Sequence, residues 1–253
     1  MEKTFSEWKK RCLNKADLSK KANVDEDIVD LVSMLNSCEE YFTTSSCSGR
    51  ITVMETVSDE ASESCVVQKK NLTWLFVSHQ KCKFDDVMTA LANSCGNAVL
   101  KFEPFVLHVQ CRTLENAQLL LSGAVQSGFR NSGITLGKTG KIMMAVRCTH
   151  GLEVPLSKQG SLLVSQEYIQ FLIEIANQKL EENQRRIERF HQRIQTTVMT
   201  NKHQKPPDKE EKLVTKDNIS IKQSRQTDDC HSDESIIESD EDLHLVKWFN
   251  GAL

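Results

Sequence analysis

No stretch of this chain approaches the ~20 consecutive apolar residues that a membrane-crossing helix needs. The opening MEKTFSEWKKRC is charged throughout, so the apolar run of a secretion signal is missing. Proline is scarce, four in 253 residues, and glycine numbers only ten, which excludes collagen-like repeats and Pro/Gly-rich low-complexity chains. The nine cysteines are odd in number and contain no CxxC pair, so their spacing spells neither a disulfide framework nor a zinc ribbon. Together these absences predict a cytoplasmic or nuclear protein with reduced thiols and no membrane partner. The Asn-x-Ser/Thr matches at Asn71 and Asn218 then never meet the glycosylation machinery.

Familiar catalytic signatures are missing too. No GxGxxG follows a predicted strand, so a Rossmann nucleotide site is not signalled. There is no GxSxG elbow. GITLGKT, residues 133–139, resembles a phosphate-binding P-loop but is one residue short between its first glycine and GK. The KIMMAVRC that follows reads as strand, where a P-loop needs a helix to aim its dipole. GKTG is more simply a hairpin turn that presents Lys138 and Lys141 to a phosphate backbone. The pairs His79-x-x-Cys82 and His108-x-x-Cys111 invite a zinc reading. On a strand, however, residues three apart face opposite sides, so no metal is expected.

What is present divides the chain unevenly. Apolar residues make up 39% and mean hydropathy is -0.42, low for a chain folded along its whole length. Residues 1–200 carry 24 Lys+Arg against 23 Asp+Glu, while residues 201–253 carry 8 against 12. Residues 97–160 hold 7 basic and 3 acidic side chains, a local excess suited to a polyanion. The expected organisation is one domain over 1–200 and a disordered acidic tail over 201–253, where HSDESIIESDED cannot bury enough apolar surface to offset its ordering entropy.

Periodicity supplies the elements. Phe5, Trp8, Cys12 and Ala16 fall at helical spacing, and Ile28, Leu31, Val32 and Leu35 form a second apolar stripe behind Asp25, Glu26 and Asp27, which favour a helix N-terminus. YFTTSSCS, RITVMETV, SCVVQKK and NLTWLFVSH read as strands. Asp85 to Ala92 is a short helix. AVLKFEPFVLHVQC is strand, proline break, strand. Leu114 to Gln126 is helical. GFRNSGITLGKTGKIMMAVRC gives a loop, a short strand, a turn and a longer strand, and GLEVPL another strand. A long amphipathic helix begins near Ser165, with Phe171, Leu172, Ile175, Leu180, Ile187, Phe190 and Ile194 in period. Strands joined as hairpins and interleaved with helices predict an α+β fold, a mostly antiparallel or mixed sheet with flanking helices.

TTSSCSGR, residues 43–50, raises the functional question. It is either a plain loop or a cradle of hydroxyls and backbone N–H groups for an anion, closed by Arg50. Ser78-His79, Lys101 with Glu103, His108, residues 128–133 and Arg147 with Thr149-His150-Gly151 are further polar clusters at strand ends. They are rich in donors and poor in carboxylates, which suits a phosphate or carboxylate ligand.

Five segments in order, KADLSKKANVDEDI, YFTTSSCSGRI, LKFEPFVLHVQCR, SGFRNSGIT and RCTHGLEVPL, closely resemble the tRNA wybutosine-synthesizing protein 3 family, in its animal form, over about residues 5–190. The resemblance implies a family-specific, non-Rossmann α/β arrangement. It implies methyl transfer from S-adenosylmethionine to N4 of a 4-demethylwyosine-type tricyclic guanine beside the anticodon of phenylalanine tRNA. Other enzymes of the wybutosine pathway are the implied partners. Carried over by motif, Ser45, Ser46, Ser48, Arg50, Asn131 and Ser132 line the cofactor site. Arg50, read as an exposed arginine, and the serines meet the cofactor carboxylate or a tRNA phosphate; Asn131 and Ser132 meet the ribose or the base edge. His79, His108 and His150 are the candidate proton acceptors. Lys101, Arg130, Lys138 and Arg147, with Arg185, Arg186 and Arg189, contact the tRNA. The alternative is a non-catalytic RNA-binding module with the same basic surface.

Overall fold

A computed structural model describes residues 2–14, 23–56 and 72–203. The strand expected at SCVVQKK and the tail beyond residue 203 lie outside the described residues. The first helix, α1 (Glu2–Leu13), buries Phe5 against Phe42, ring centroids 5.3 Å apart. A single 3-10 turn (Glu26–Ile28) leads into α2 (Val29–Ser37), which buries Leu31, Val32 and Leu35 as its spacing predicts.

The strands are β1 (Tyr41–Cys47), β2 (Arg50–Thr56), β3 (Leu72–Ser78), β4 (Asn97–Glu103), β5 (Val106–Cys111), β6 (Gly133–Leu136), β7 (Ile142–Val146), β8 (Leu152–Pro155) and the two-residue β9 and β10 (Ser157–Lys158, Ser161–Leu162). Helices α3 (Phe84–Ala92), α4 (Leu114–Gln126) and α5 (Gln166–His203) complete the order. Thr113 caps α4, its hydroxyl accepting from the Asn116 amide at 3.3 Å.

Two four-stranded sheets form, in the orders β1-β5-β7-β6 and β3-β2-β4-β8. Every described ladder is antiparallel. The two orders are related. β1 runs into β2 through Ser48-Gly49, β4 into β5 through Pro104-Phe105, and β7 into β8 through residues 147–151. The three chains are neighbours on both sides of the break: Cys47 pairs with Val106 and Leu107 with Val146 in one sheet, while Arg50 pairs with Glu103 and Phe102 with Leu152 in the other. Three long strands thus cross side by side from one sheet to the other, and their junctions align in one seam. Pro104 suits such a break because it has no N–H to give to a ladder.

Each sheet has its own apolar core. The first gathers Leu35, Leu107, Phe129 and Met144 under α2 and α4; the second gathers Ile51, Leu100, Phe102 and Leu156 under α3. α5 belongs to both. Ile169, Leu172, Ile173, Ala176 and Leu180 enter the second core, and Ile187, Phe190 and Ile194 the first. Between them, at the seam, stands the fully buried Asn183.

Candidate functional site at the seam between the sheets

TTSSC belongs to β1, so the plain-loop reading of residues 43–50 fails for most of its length. The turn is confined to Ser48-Gly49. Gly49 has φ +102°, a conformation that favours glycine. A Cβ there would meet Asn183 Nδ2 at 2.9 Å and the Glu103 carbonyl at 3.1 Å. Asn183 staples the junctions: Nδ2 donates to the Ser48 carbonyl at 2.7 Å, and Oδ1 accepts from the Phe105 amide at 2.8 Å.

A first polar cluster sits on the outer face of the first sheet. The shift in pairing between Thr43 and Ser45 sets Ser45 opposite His108. Ser45 Oγ lies 2.8 Å from His108 Nδ1, and Arg147 Nη2 lies 3.0 Å from Nε2. A guanidinium only donates, so Nε2 is the accepting nitrogen. Burial, reinforced by Arg147, lowers the His108 pKa to about 4, and the ring is neutral. The Arg147 amide donates to Ser132 Oγ at 3.1 Å, which ties the turn before β6 to the same place. Ser46 stands opposite Leu107. Arg130 and Asn131 are exposed in the turn beside Ser132.

A second cluster lies where β7 gives way to β8. His150 Nδ1 is 2.8 Å from Cys148 Sγ and 3.5 Å from Arg186 Nη1, while Nε2 is 3.4 Å from the Lys179 carbonyl. Burial lowers the His150 pKa, and the Arg186 charge adds to this. Arg186 also donates to Glu182 at 2.9 Å.

The third cluster was only half legible in the sequence. Arg50 is buried, 8% exposed, which corrects the expectation of an exposed arginine. Its guanidinium covers the Trp74 ring at 4.6 Å, and Nε donates to Glu103 Oε2 at 2.6 Å. Cross-strand pairing puts Glu103 opposite Arg50, and the flat guanidinium suits an aromatic face. Ser48 is buried as well, and its amide donates to Asp25 Oδ2 at 2.6 Å. His79, one residue past β3, places Nδ1 3.0 Å from the Gly49 carbonyl, 3.4 Å from Asp25 Oδ2 and 3.4 Å from Ser48 Oγ. Asp25 was read as a helix-start residue; nothing in its local sequence announces a partner 54 positions away.

Asp25, Cys47 and His79 bring an oxygen, a sulfur and a nitrogen within 4.8 Å of one another. Asp25 Oδ2 accepts from the Ser48 amide and His79 Nδ1 faces the Gly49 carbonyl. Burial pushes the Cys47 thiol up to about 11, so it stays protonated. Cys82 turns instead to Asn177, and Cys111 points into the first core.

Two predicted positions lie off the seam. Lys101 pairs with Glu153 at 2.9 Å on the outer face of the second sheet, two residues from Glu103. Lys138 occupies the β6–β7 turn, at the end of the first sheet opposite the junctions. A separate groove of about 630 Å³ runs between α4 and α5, with Ser122, Gln126, Arg189 and Arg193 on its walls.

Comparison with known proteins agrees with this layout. The family model "Methyltransferase TYW3" matches residues 7–196. The tRNA wybutosine-synthesizing protein 3 homolog of Xenopus laevis is 60% identical over 190 residues, 75% of this chain and 74% of the relative. The human homolog is 56% identical over 209 residues, covering 81% and 79%. A Pyrococcus abyssi protein named tRNA(Phe) 7-((3-amino-3-carboxypropyl)-4-demethylwyosine(37)-N(4))-methyltransferase 1 is 36% identical, covering 76% of this chain and 96% of its own. A solved Pyrococcus horikoshii structure superposes with a TM-score of 0.68 at 33% identity, covering 76% of this chain and 97% of that one. With its sheet junctions, its long shared helix and nearly all of its described residues inside that match, the chain belongs to the TYW3 methyltransferase family.

Proposed function

We propose that this chain transfers a methyl group from S-adenosylmethionine to N4 of the 4-demethylwyosine-type base beside the anticodon of phenylalanine tRNA. Family membership supports the reaction class, and the name of the Pyrococcus abyssi relative supports the substrate. One observation carries the site: the aligned junctions set Ser45, His108, Ser132 and Arg147 in one hydrogen-bonded group beside a buried frame.

The donor set fits the cofactor. A carboxylate needs N–H and O–H donors, and exposed Arg147 with the hydroxyls of Ser45, Ser46 and Ser132 offers them. A ribose diol donates to a hydrogen-bond acceptor, and Glu103, whose side chain is 40% exposed and held by Arg50, offers one. Asn131 is assigned to the ribose or the base edge. Bound there, S-adenosylmethionine supplies an electrophilic methyl carbon. The protein's work is positioning and taking one proton from the attacked nitrogen. Arg50 and Ser48, turned inward, brace the junction.

Arg130, Lys101 and the basic lip of the α4–α5 groove are assigned to phosphates, with Lys138 reaching a distal part of the tRNA. The target base lies in a single-stranded loop, accessible to extrusion. Residues 1–200 act as one methyltransferase unit in the cytoplasm, alongside other enzymes of the same pathway. Among the described residues no helix is long and apolar enough to cross a membrane.

The test is tritium transfer from labelled S-adenosylmethionine. Label is expected on phenylalanine tRNA from cells lacking this gene and not on tRNA from normal cells. Absence of both calorimetric binding of S-adenosylhomocysteine and methyl transfer would leave an RNA-binding module as the better reading.

A further inference from the structure

Of the three seam histidines, two have both ring nitrogens in contact with neighbours. His108 is held between Ser45 and Arg147, and His150 between Cys148, Arg186 and the Lys179 carbonyl. His79 differs. Its Nδ1 faces the Gly49 carbonyl at 3.0 Å and the Asp25 carboxylate at 3.4 Å. A carbonyl oxygen only accepts, and so does an ionised carboxylate, so the proton of the neutral ring belongs on Nδ1. Nε2 is then the accepting nitrogen, and it has no partner among the described residues. The His79 side chain keeps 20% of its surface exposed, whereas Asp25 keeps 7%.

We propose that Asp25 is a positioning residue: with the Gly49 carbonyl it holds His79 with Nδ1 inward, and its charge faces the imidazolium that forms when Nε2 accepts the proton of the methylated base nitrogen. The inference rests on the methyltransferase reading above. The lone pair of the base nitrogen forms the N–C bond. The C–S bond breaks with its electron pair left on the departing thioether. His79 Nε2 takes the nitrogen's proton, and the resulting imidazolium faces the Asp25 carboxylate. The protonated Cys47 thiol lies within 4.8 Å of the ring, and Arg50 and Glu103 act on that thiol in turn.

Asp25→Asn separates this role from scaffolding. Ser48 N–H and His79 Nδ1 face the same oxygen, Oδ2, so the amide can keep an oxygen toward both and removes only the negative charge. Side-chain 15N spectra of histidine-labelled protein should show the neutral His79 ring protonated on Nδ1 in both the wild type and Asp25→Asn, held by the Gly49 carbonyl. At saturating cofactor and tRNA, kcat should fall about 100-fold or more in both Asp25→Asn and His79→Gln. KM for tRNA and the affinity for S-adenosylhomocysteine should stay within about threefold. His79→Gln or Asp25→Asn at wild-type kcat, or a wild-type His79 protonated on Nε2, would each overturn the proposal. His79→Gln decides the acceptor role if Asp25→Asn does not fold. A wild-type protein that transfers no methyl group would overturn the methyltransferase reading and the acceptor role with it. The spectra would then still decide the Asp25–His79 arrangement by itself, so the two failures are distinguishable.

Discussion

Asn183 donates to the carbonyl of Ser48 at 2.7 Å, across 135 residues of sequence. With its other side-chain atom it accepts from the Phe105 amide, so one buried amide on α5 satisfies two of the three strand junctions. Asn183→Leu leaves a carbonyl and an N–H without partners in a place water does not reach. At roughly 1–3 kcal/mol for each orphaned group, the expected loss is about 3 kcal/mol in urea unfolding. Asn183→Asp keeps the bond to Phe105 but sets a carboxylate against the Ser48 carbonyl, and should cost at least as much.

Gly49→Ala tests the same junction from the other strand. A left-handed φ penalises any Cβ, and this one meets Asn183 Nδ2 and the Glu103 carbonyl. Destabilisation of about 2 kcal/mol or more is expected from chemical denaturation, whereas the same change at an unstrained glycine stabilises by about 0.4–1 kcal/mol.

Arg50→Lys keeps the charge and loses the flat face over Trp74. About 1 kcal/mol of stability should go with it. Arg50→Ala should lose about 2 kcal/mol, since the half-exposed Glu103 screens part of the ion pair. Both are read from thermal midpoints. A midpoint unmoved in Arg50→Ala would mean that the stacking contributes nothing.

His108 makes a pH prediction. Its folded pKa, about 4, lies below its ordinary 6.5 because burial and Arg147 disfavour the charged ring. Between those values the unfolded chain binds the extra proton. The stabilising contribution is therefore full above about pH 6.5 and drains away as pH falls toward 4. The slope for one such group is at most about 1.4 kcal/mol per pH unit. The lowered pKa of His150 acts in the same direction. His108→Gln should flatten the decline in thermal midpoint between pH 7 and 4.5 relative to the wild type.

Arg193 lines the α4–α5 groove, and among the described residues its guanidinium donates to the exposed Gln126 at 2.9 Å. If the groove carries tRNA phosphates, Arg193→Ala should weaken tRNA binding and reduce the slope of log K against log salt by about 1. Filter binding between 50 and 200 mM salt measures it. An unchanged slope would remove the groove from the interface.

Much of the fold was legible because it is locally encoded. Thr113 and the Leu114–Gln126 period mark α4, Pro104 separates β4 from β5, and Gly137 to Gly140 turn β6 into β7. The site was legible as residue types and not as an arrangement. Whether Ser45 meets His108 depends on a shifted register at Thr43, which no short window of sequence contains. The burial of Arg50 needs Trp74 from another strand and Glu103 from a third. Asp25 was invisible as a site residue because an acidic residue ahead of a helix already has a sufficient local reason to be there. Asn183 stands in the polar run EENQRR, where nothing local marks it as buried.

That helix has a mechanical consequence. α5 anchors one end in each apolar core and its middle in the seam. The sheets cannot swing relative to each other unless this splint bends or withdraws a row of buried side chains. A ligand held at the seam would therefore enter over the rim of the junctions, past exposed side chains such as Arg147, and not through a clamshell movement of the two halves.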